Sequence, residues 1–254
     1  MTPRAGGAPG VLGLLGGEEM NPPCRDFDTA LLAAAGNPEV VRIIATAVVR
    51  NGSVSRSMRQ AERYFGGLGA GVEEVKVHRR SDASRDAVVA DLEASPLTYL
   101  LGGDPGYLLD TLVDTPAWDA IRSGLAAGRA LAGSSAGAMV VCETLLLRSP
   151  NPSPSARHGK PGLSLLPGVV LIPHLNRFAP GWLESARREA RGRDILGLDE
   201  STGLLYAGGW RALGPGLVRL WRRGQDPAVD AAGGRSLRWR RPDFRGFQGP
   251  PGVV

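Results

Sequence analysis

Arg129-Ala130-Leu131-Ala132-Gly133-Ser134-Ser135-Ala136-Gly137-Ala138-Met139-Val140-Val141-Cys142 reads as strand, tight turn and helix, with Ser135 at the centre of a Gly-x-Ser-x-Gly pentapeptide. A serine hydroxyl is a weak nucleophile unless it is held exposed, next to a base and beside oxyanion donors. A strand-to-helix elbow meets the geometric part of that demand. Small neighbours tolerate a strained backbone, and the first amides of the helix face the point where negative charge develops. The same kind of turn also serves merely to pack a helix on a sheet, so the pentapeptide alone leaves both uses open.

Outward from this turn, β-branched apolar runs alternate with helical patterns. Strands are predicted over 11–15, 40–48, 72–78, 97–101 and 130–132, and helices over 27–35, 58–65, 84–94, 107–113 and 118–127. This βαβα succession predicts an α/β fold with a doubly wound, mostly parallel sheet. A Pro/Ser/Arg-rich loop is predicted over 149–161, then a strand over 169–172 and a helix over 182–191. Short strands over 195–198, 204–207, 210–213 and 217–221 predict extra antiparallel strands in the C-terminal third. Residues 1–223 are expected to form a single α/β domain. Residues 224–254 read as a basic Gly/Pro/Arg-rich extension, part of it a hairpin and its end mobile.

A chain of 254 residues is long enough for one such domain with a full core. No apolar run reaches the roughly 18–20 residues that span a bilayer, so no membrane partner is expected. The apolar run Val11-Leu12-Gly13-Leu14-Leu15 is too short and glycine-broken for a secretory segment, which predicts a cytoplasmic location. Cys24 and Cys142 form no disulfide framework, and Cys142 reads as a buried residue of the elbow helix. His78, His158 and His174 lack metal-ligand spacing, so neither metal nor cofactor is expected. The net charge of +5 owes much to arginines near the C-terminus, among them Arg222, Arg238 and Arg241. No nucleic-acid motif accompanies them, and the reading is against a nucleic-acid partner. A homodimer is left open.

In open α/β sheets chemistry collects at the carboxyl ends of strands. Three predicted strand ends carry suitable residues: Gly102-Gly103-Asp104, Ser135 and Pro173-His174. His174 follows the strand over 169–172, which puts it on the rim with Ser135 and makes it the candidate base. The one carboxylate between these two residues is Glu143. On the elbow helix, at ~1.5 Å rise per residue, it falls about 12 Å beyond Ser135 and faces away from the rim. The acid is therefore sought after the histidine, where Asp199 and Glu200 end the strand over 195–198. A Ser, His, acid order excludes the α/β-hydrolase arrangement, in which the histidine comes last.

Five segments in order carry a resemblance to a known family: Leu14-Leu15-Gly16-Gly17, Leu100-Leu101-Gly102-Gly103-Asp104, Gly133-Ser134-Ser135-Ala136-Gly137-Ala138, Gly162-Leu163-Ser164-Leu165-Leu166-Pro167-Gly168-Val169-Val170 with Pro173-His174, and Leu196-Gly197-Leu198-Asp199-Glu200-Ser201-Thr202-Gly203-Leu204. The chain resembles the peptidase E / cyanophycinase family of serine peptidases. The resemblance implies a flavodoxin-like, class I glutamine amidotransferase-like fold. It also implies Ser135 as nucleophile, His174 as base and Glu200 as orienting acid, with Asp199 the alternative. The amides of Gly103 and Ala136 are implied as the oxyanion hole, in keeping with the physical expectation of one donor after the nucleophile and one from a neighbouring strand loop.

The implied partner is a small peptide. Peptidase E releases an N-terminal aspartate from short peptides, whereas cyanophycinase cleaves an arginine-decorated polyaspartate. Cyanophycinases generally carry glutamine where this chain has Pro105, and both groups usually have a polar or acidic residue where this chain has Ile172-Pro173. Asp104 and Arg177 are the candidate substrate-binding residues, since a guanidinium can grip a carboxylate in a two-pronged fork. The sequence thus predicts a serine exopeptidase for Asp-containing or acidic peptides. The alternatives are a cyanophycinase-type hydrolase and a non-catalytic ligand-binding relative.

Overall fold

The computed structural model describes residues 10–148, 157–190, 192–223 and 229–244, with the side chains of 179, 180 and 229 left aside. Its first sheet holds β1 (Val11–Leu15), β2 (Val40–Ile44), β3 (Gly71–Glu74), β4 (Leu97–Leu100) and β5 (Ala130–Ser134), followed much later in the chain by three more strands. The helices between them are α1 (Arg25–Ala34), α2 (Val54–Gly66), α3 (Asp86–Glu93), α4 (Pro105–Leu112) and α5 (Pro116–Ala126). After β5 come α6 (Ala136–Val140), β6 (Cys142–Arg148), β7 (Arg157–Pro161), β8 (Leu166–Ile172) and α7 (Leu175–Ala190). The remaining strands are β9 (Asp194–Leu198), β10 (Gly203–Tyr206), β11 (Trp210–Leu213), β12 (Leu217–Trp221), β13 (Val229–Ala232) and β14 (Ser236–Leu237).

The first sheet has the order β14-β11-β10-β1-β5-β4-β2-β3, and the five strands from β1 to β3 run parallel. Period-two alternation assigns its faces. In β1, Val11 and Leu15 pack with Phe27, Leu31 and Phe65 of α1 and α2, while Leu12 and Leu14 join the opposite core with Leu108, Trp118 and Ile121 of α4 and α5. Helices on both faces make it doubly wound, as predicted. A second sheet, β13-β12-β9-β8-β6-β7, has β6, β8 and β9 parallel at its centre and shares that second core. Among the described residues no helix is long and apolar enough to cross a membrane.

Several local expectations are corrected. The strand over 40–48 ends at Ile44, because Thr46–Asn51 coils into a 3₁₀ turn. The elbow helix stops at Val140, so Cys142 and Glu143 open β6 instead of continuing the helix. Residues 149–156 of the predicted loop lie outside the described residues, but 157–161 form β7, paired antiparallel with β6. No apolar alternation marks Arg157-His158-Gly159-Lys160-Pro161 as a strand. Its pairing with β6 holds it there. Near the C-terminus β13 pairs with β12, and Asp194 accepts from Trp239 Nε1 at 2.8 Å and from Arg240 at 2.7 Å. The end of the chain, 245–254, lies outside the described residues.

Asp28 on α1 is fully buried, and its Oδ2 accepts from Tyr64 Oη at 2.9 Å while Oδ1 has no partner among the described residues. Burial is the chief cause that pushes its carboxyl from 3.8 up to about 7. The folded chain therefore keeps a proton here that the unfolded chain releases above pH 3.8, and this stabilisation fades as pH rises through about 7. At about 1.4 kcal/mol per unit, that is a decline of about 4 kcal/mol. Asp28→Asn is expected to flatten urea-unfolding stability over this window. Parallel wild-type and variant curves would reject the assignment.

Candidate active site

Four strand ends of the two sheets, those of β1, β5, β8 and β9, converge on one rim. Leu15 O, at the end of β1, accepts the Ser135 N–H at 2.9 Å, and Gly16 O accepts the His174 N–H at 2.8 Å. Gly17 O accepts from Ser201 N at 2.9 Å, and Gly16 N donates to Thr202 O at 2.9 Å. The turn after β1 thus ties together the elbow, the histidine after β8 and the acidic loop after β9.

At the elbow, Ser135 has φ +46°, a left-handed conformation that lifts its side chain out of the turn. The flanking glycines allow the tight reversal, since a Cβ at Gly133 would lie 2.4 Å from the Gly137 carbonyl. Ser135 Oγ lies 3.0 Å from His174 Nε2, and His174 Nδ1 lies 2.8 Å from Glu200 Oε1. An ionised carboxylate only accepts, so the second contact assigns the proton to Nδ1 and leaves Nε2 to accept from Ser135. Glu200 N–H is itself held by Asn176 Oδ1 at 3.0 Å.

The structure separates the two acid candidates. Glu200 reaches the imidazole, whereas Asp199 turns away and its Oδ2 accepts from Leu217 N at 2.9 Å on β12. Glu143 is remote from the relay, bound to Arg193 at 2.5 Å and to Gly168 N at 2.7 Å. Gly103 and Ala136 both flank Ser135's side of the rim. The Gly103 amide donates to no acceptor among the described residues, and Ala136 opens a helix, where an N–H has no intrahelical acceptor. Asp104 caps α4, accepting from Tyr107 N at 2.9 Å, and pairs with Arg50 at 3.6 Å.

A cleft of about 510 Å³ opens over Ser135 and His174, with Gly103, Asp104, Arg148, Arg157 and Trp182 among its walls. Arg177 points elsewhere. Its guanidinium lies 3.5 Å from Glu200 Oε1 and over the Phe178 ring. Arg148 and Arg157, directly opposed across β6 and β7, bring the positive charge to the cleft instead. Sequence reading passed over both, because the contact depends on a strand pairing that Arg157-His158-Gly159-Lys160-Pro161 does not advertise. It also passed over Glu19, whose carboxylate accepts from Gly102 N at 2.8 Å and from Ser134 Oγ at 2.7 Å. A carboxylate four residues past the end of β1 was the available signal.

The family model for Peptidase family S51 matches residues 12–212 and so encloses the elbow, the histidine and the acidic loop. The chain belongs to peptidase family S51. The S51 chain is 34% identical over 166 residues to a cyanophycinase of Nostoc sp. (strain PCC 7120 / SAG 25.82 / UTEX 2576), covering 62% of this chain and 56% of that protein. It therefore spans little more than half the length of that curated relative. A cyanophycinase of Synechococcus elongatus is 28% identical over 230 residues, covering 86% of this chain and 70% of the relative. Among solved structures, a peptidase from an acI-B1 Actinobacterium superposes with a TM-score of 0.79 at 27% identity, covering 91% of this chain and 98% of that one.

Proposed function

We propose that this S51 chain is a serine peptidase that hydrolyses short peptides, as an exopeptidase favouring Asp-containing or acidic substrates. The observation that carries the reading is the relay Ser135 Oγ–His174 Nε2 at 3.0 Å and His174 Nδ1–Glu200 Oε1 at 2.8 Å on one wall of a cleft. In the proposed cycle Ser135 Oγ attacks the scissile carbonyl while His174 Nε2 takes its proton. Glu200 holds the ring in the tautomer that accepts and stabilises the imidazolium that forms. The amides of Gly103 and Ala136 receive the oxyanion, each such donor being worth on the order of 10²–10³ in rate. His174 then protonates the leaving amine, and water activated by the same nitrogen releases the acyl group.

The preference for acidic substrates is supported by the walls of the cleft. Arg148 and Arg157 are register partners across β6 and β7, and both line the cleft, where a guanidinium can bind a carboxylate. Arg157 is held over the Trp182 ring at 4.4 Å, so its guanidinium approaches the cleft in a defined plane. Asp104 on the same wall pairs with Arg50 at 3.6 Å, and Arg148 and Arg157 bring positive charge to the cleft.

A second reading, a cyanophycinase-type hydrolase, is favoured by the 34% identity to the Nostoc protein. One experiment separates the two. Purified protein is incubated with a library of short peptides and, in parallel, with isoaspartyl-arginine polymer, and products are read by mass spectrometry. Consumption of acidic di- and tripeptides is expected. Cleavage of the polymer alone would transfer the assignment to the second reading. Arg157→Ala is expected to raise KM for an acidic peptide about 10-fold or more, the scale of a lost charge-assisted hydrogen bond. It should leave a neutral peptide nearly unaffected. Equal losses on both peptides would reject the arginine pair as the acid-reading element.

A further inference from the structure

Among the described residues Glu19 makes no hydrogen bond to Ser135 or His174, yet it is bonded to the residue before each proposed reacting backbone element. Its Oε1 accepts from Gly102 N at 2.8 Å, next to the Gly103 amide, and its Oε2 accepts from Ser134 Oγ at 2.7 Å, next to Ser135. One carboxylate thus bridges the loop after β4 and the elbow after β5. Both partners are donors, which suits an acceptor-only group with two oxygens.

The chain goes to some length to deliver it. Glu18 and Met20, on either side of Glu19, have φ of +58° and +57°, and Gly17 before them has φ +124°. Left-handed conformations at non-glycine residues persist only where surroundings over-determine them. Here Cys24 Sγ and Asn21 Nδ2 donate to Glu18 O at 3.0 and 3.1 Å, and Gln60 Nε2 donates to Met20 O at 3.2 Å. A contorted segment pinned in this way fixes the position of its central side chain.

We propose that Glu19 is a positioning residue that holds the Gly102-Gly103 loop and the Ser134-Ser135 elbow in register, so that the Gly103 amide meets the oxyanion formed at Ser135. The inference rests on the Ser135–His174–Glu200 reading and deepens it by naming what aligns its oxyanion side. Nothing in it requires Glu19 to exchange a proton. Its two hydrogen bonds do the work, by placing a donor that counts only when it lies within hydrogen-bond reach of the developing charge.

The test is the rate at which a fluorophosphonate labels Ser135. Oγ displaces fluoride from phosphorus in that reaction, and the phosphonyl oxygen enters the oxyanion site whatever the peptide preference. Labelling of the wild type tests the triad itself. Its absence would remove the triad and this inference together. With the wild type labelled, Glu19→Ala is expected to slow labelling on the order of 10²-fold. The pH at which labelling is half-maximal should stay where it is in the wild type, because the His174–Glu200 contact is untouched. Glu19→Gln, which keeps an acceptor for Gly102 N–H, is expected to stay within about tenfold of wild type. Should Glu19→Ala fail to fold, Ser134→Ala, which deletes one of the two bonds, is expected to slow labelling about tenfold. Three results would each overturn the proposal: wild-type rates in folded Glu19→Ala or Ser134→Ala, a folded Glu19→Gln as slow as Glu19→Ala is expected to be, or a shifted pH midpoint in either Glu19 variant.

Discussion

Ser135→Ala is expected to lower peptide turnover on the order of 10⁴–10⁶-fold, with the fold retained. The hydroxyl makes its hydrogen bond to His174 and caps no helix residue through its side chain, so its removal leaves no buried donor without a partner. Alanine meets the same left-handed backbone that serine already adopts at φ +46°. Members of a triad act as a unit, so Ser135→Ala combined with His174→Ala should be hardly slower than Ser135→Ala alone. Product formation followed by mass spectrometry, beside thermal unfolding of the same samples, gives both readouts. Turnover that survives in the single variant would refute Ser135 as the nucleophile, and multiplicative losses in the double variant would refute a shared relay.

Gly17→Ala carries the second large effect, through a residue with no reacting atom. A Cβ there would lie 2.1 Å from His174 Cε1 and 2.6 Å from Nε2, in a backbone with φ +124°. The imidazole is held at Nε2 by Ser135 and at Nδ1 by Glu200, and the His174 backbone N–H is held by Gly16 O, so the ring has little slack to absorb the clash. Either the ring or the turn after β1 must move. A displacement of about 1 Å breaks the near-attack geometry, at a cost of about 10² or more in kcat. The strained backbone adds a loss of stability of about 1–3 kcal/mol. The expected signature is a fall in kcat with KM little changed, together with loss of the 3.0 Å Ser135–His174 contact in a crystal structure of the variant. Wild-type kcat in Gly17→Ala would show that the seat of His174 is not rigid.

Much of the architecture was legible because local rules and global fold agree. The parallel strands β1, β2, β4 and β5 are short apolar runs bounded by glycine or helix starts, and buried parallel strands must read that way. Ser135 and His174 were legible for a related reason: each follows such a strand, and strand ends in this class share one rim. The reading erred where the signal was not local. Cys142-Glu143-Thr144-Leu145-Leu146-Leu147-Arg148 is as good a helix continuation as a strand, and its pairing with β7 and β8 decided for the strand. That one decision built the second sheet and brought Arg148 and Arg157 into the cleft.

The choice between Asp199 and Glu200 shows the same division. Adjacent residues differ in sequence by nothing that identifies a partner, but in space Asp199 is taken by the Leu217 amide and Glu200 by His174. By itself the sequence determined the α/β class, the elbow and the order of serine, histidine and acid, because periodicity and strand-end position are properties of contiguous residues. Only the tertiary structure decided which carboxylate meets the imidazole, which arginines face the cleft, and that Glu19 bridges Gly102 and Ser134 across 83 and 115 residues. Hydrogen bonds between distant segments depend on how sheets register, and no stretch of sequence carries that register alone.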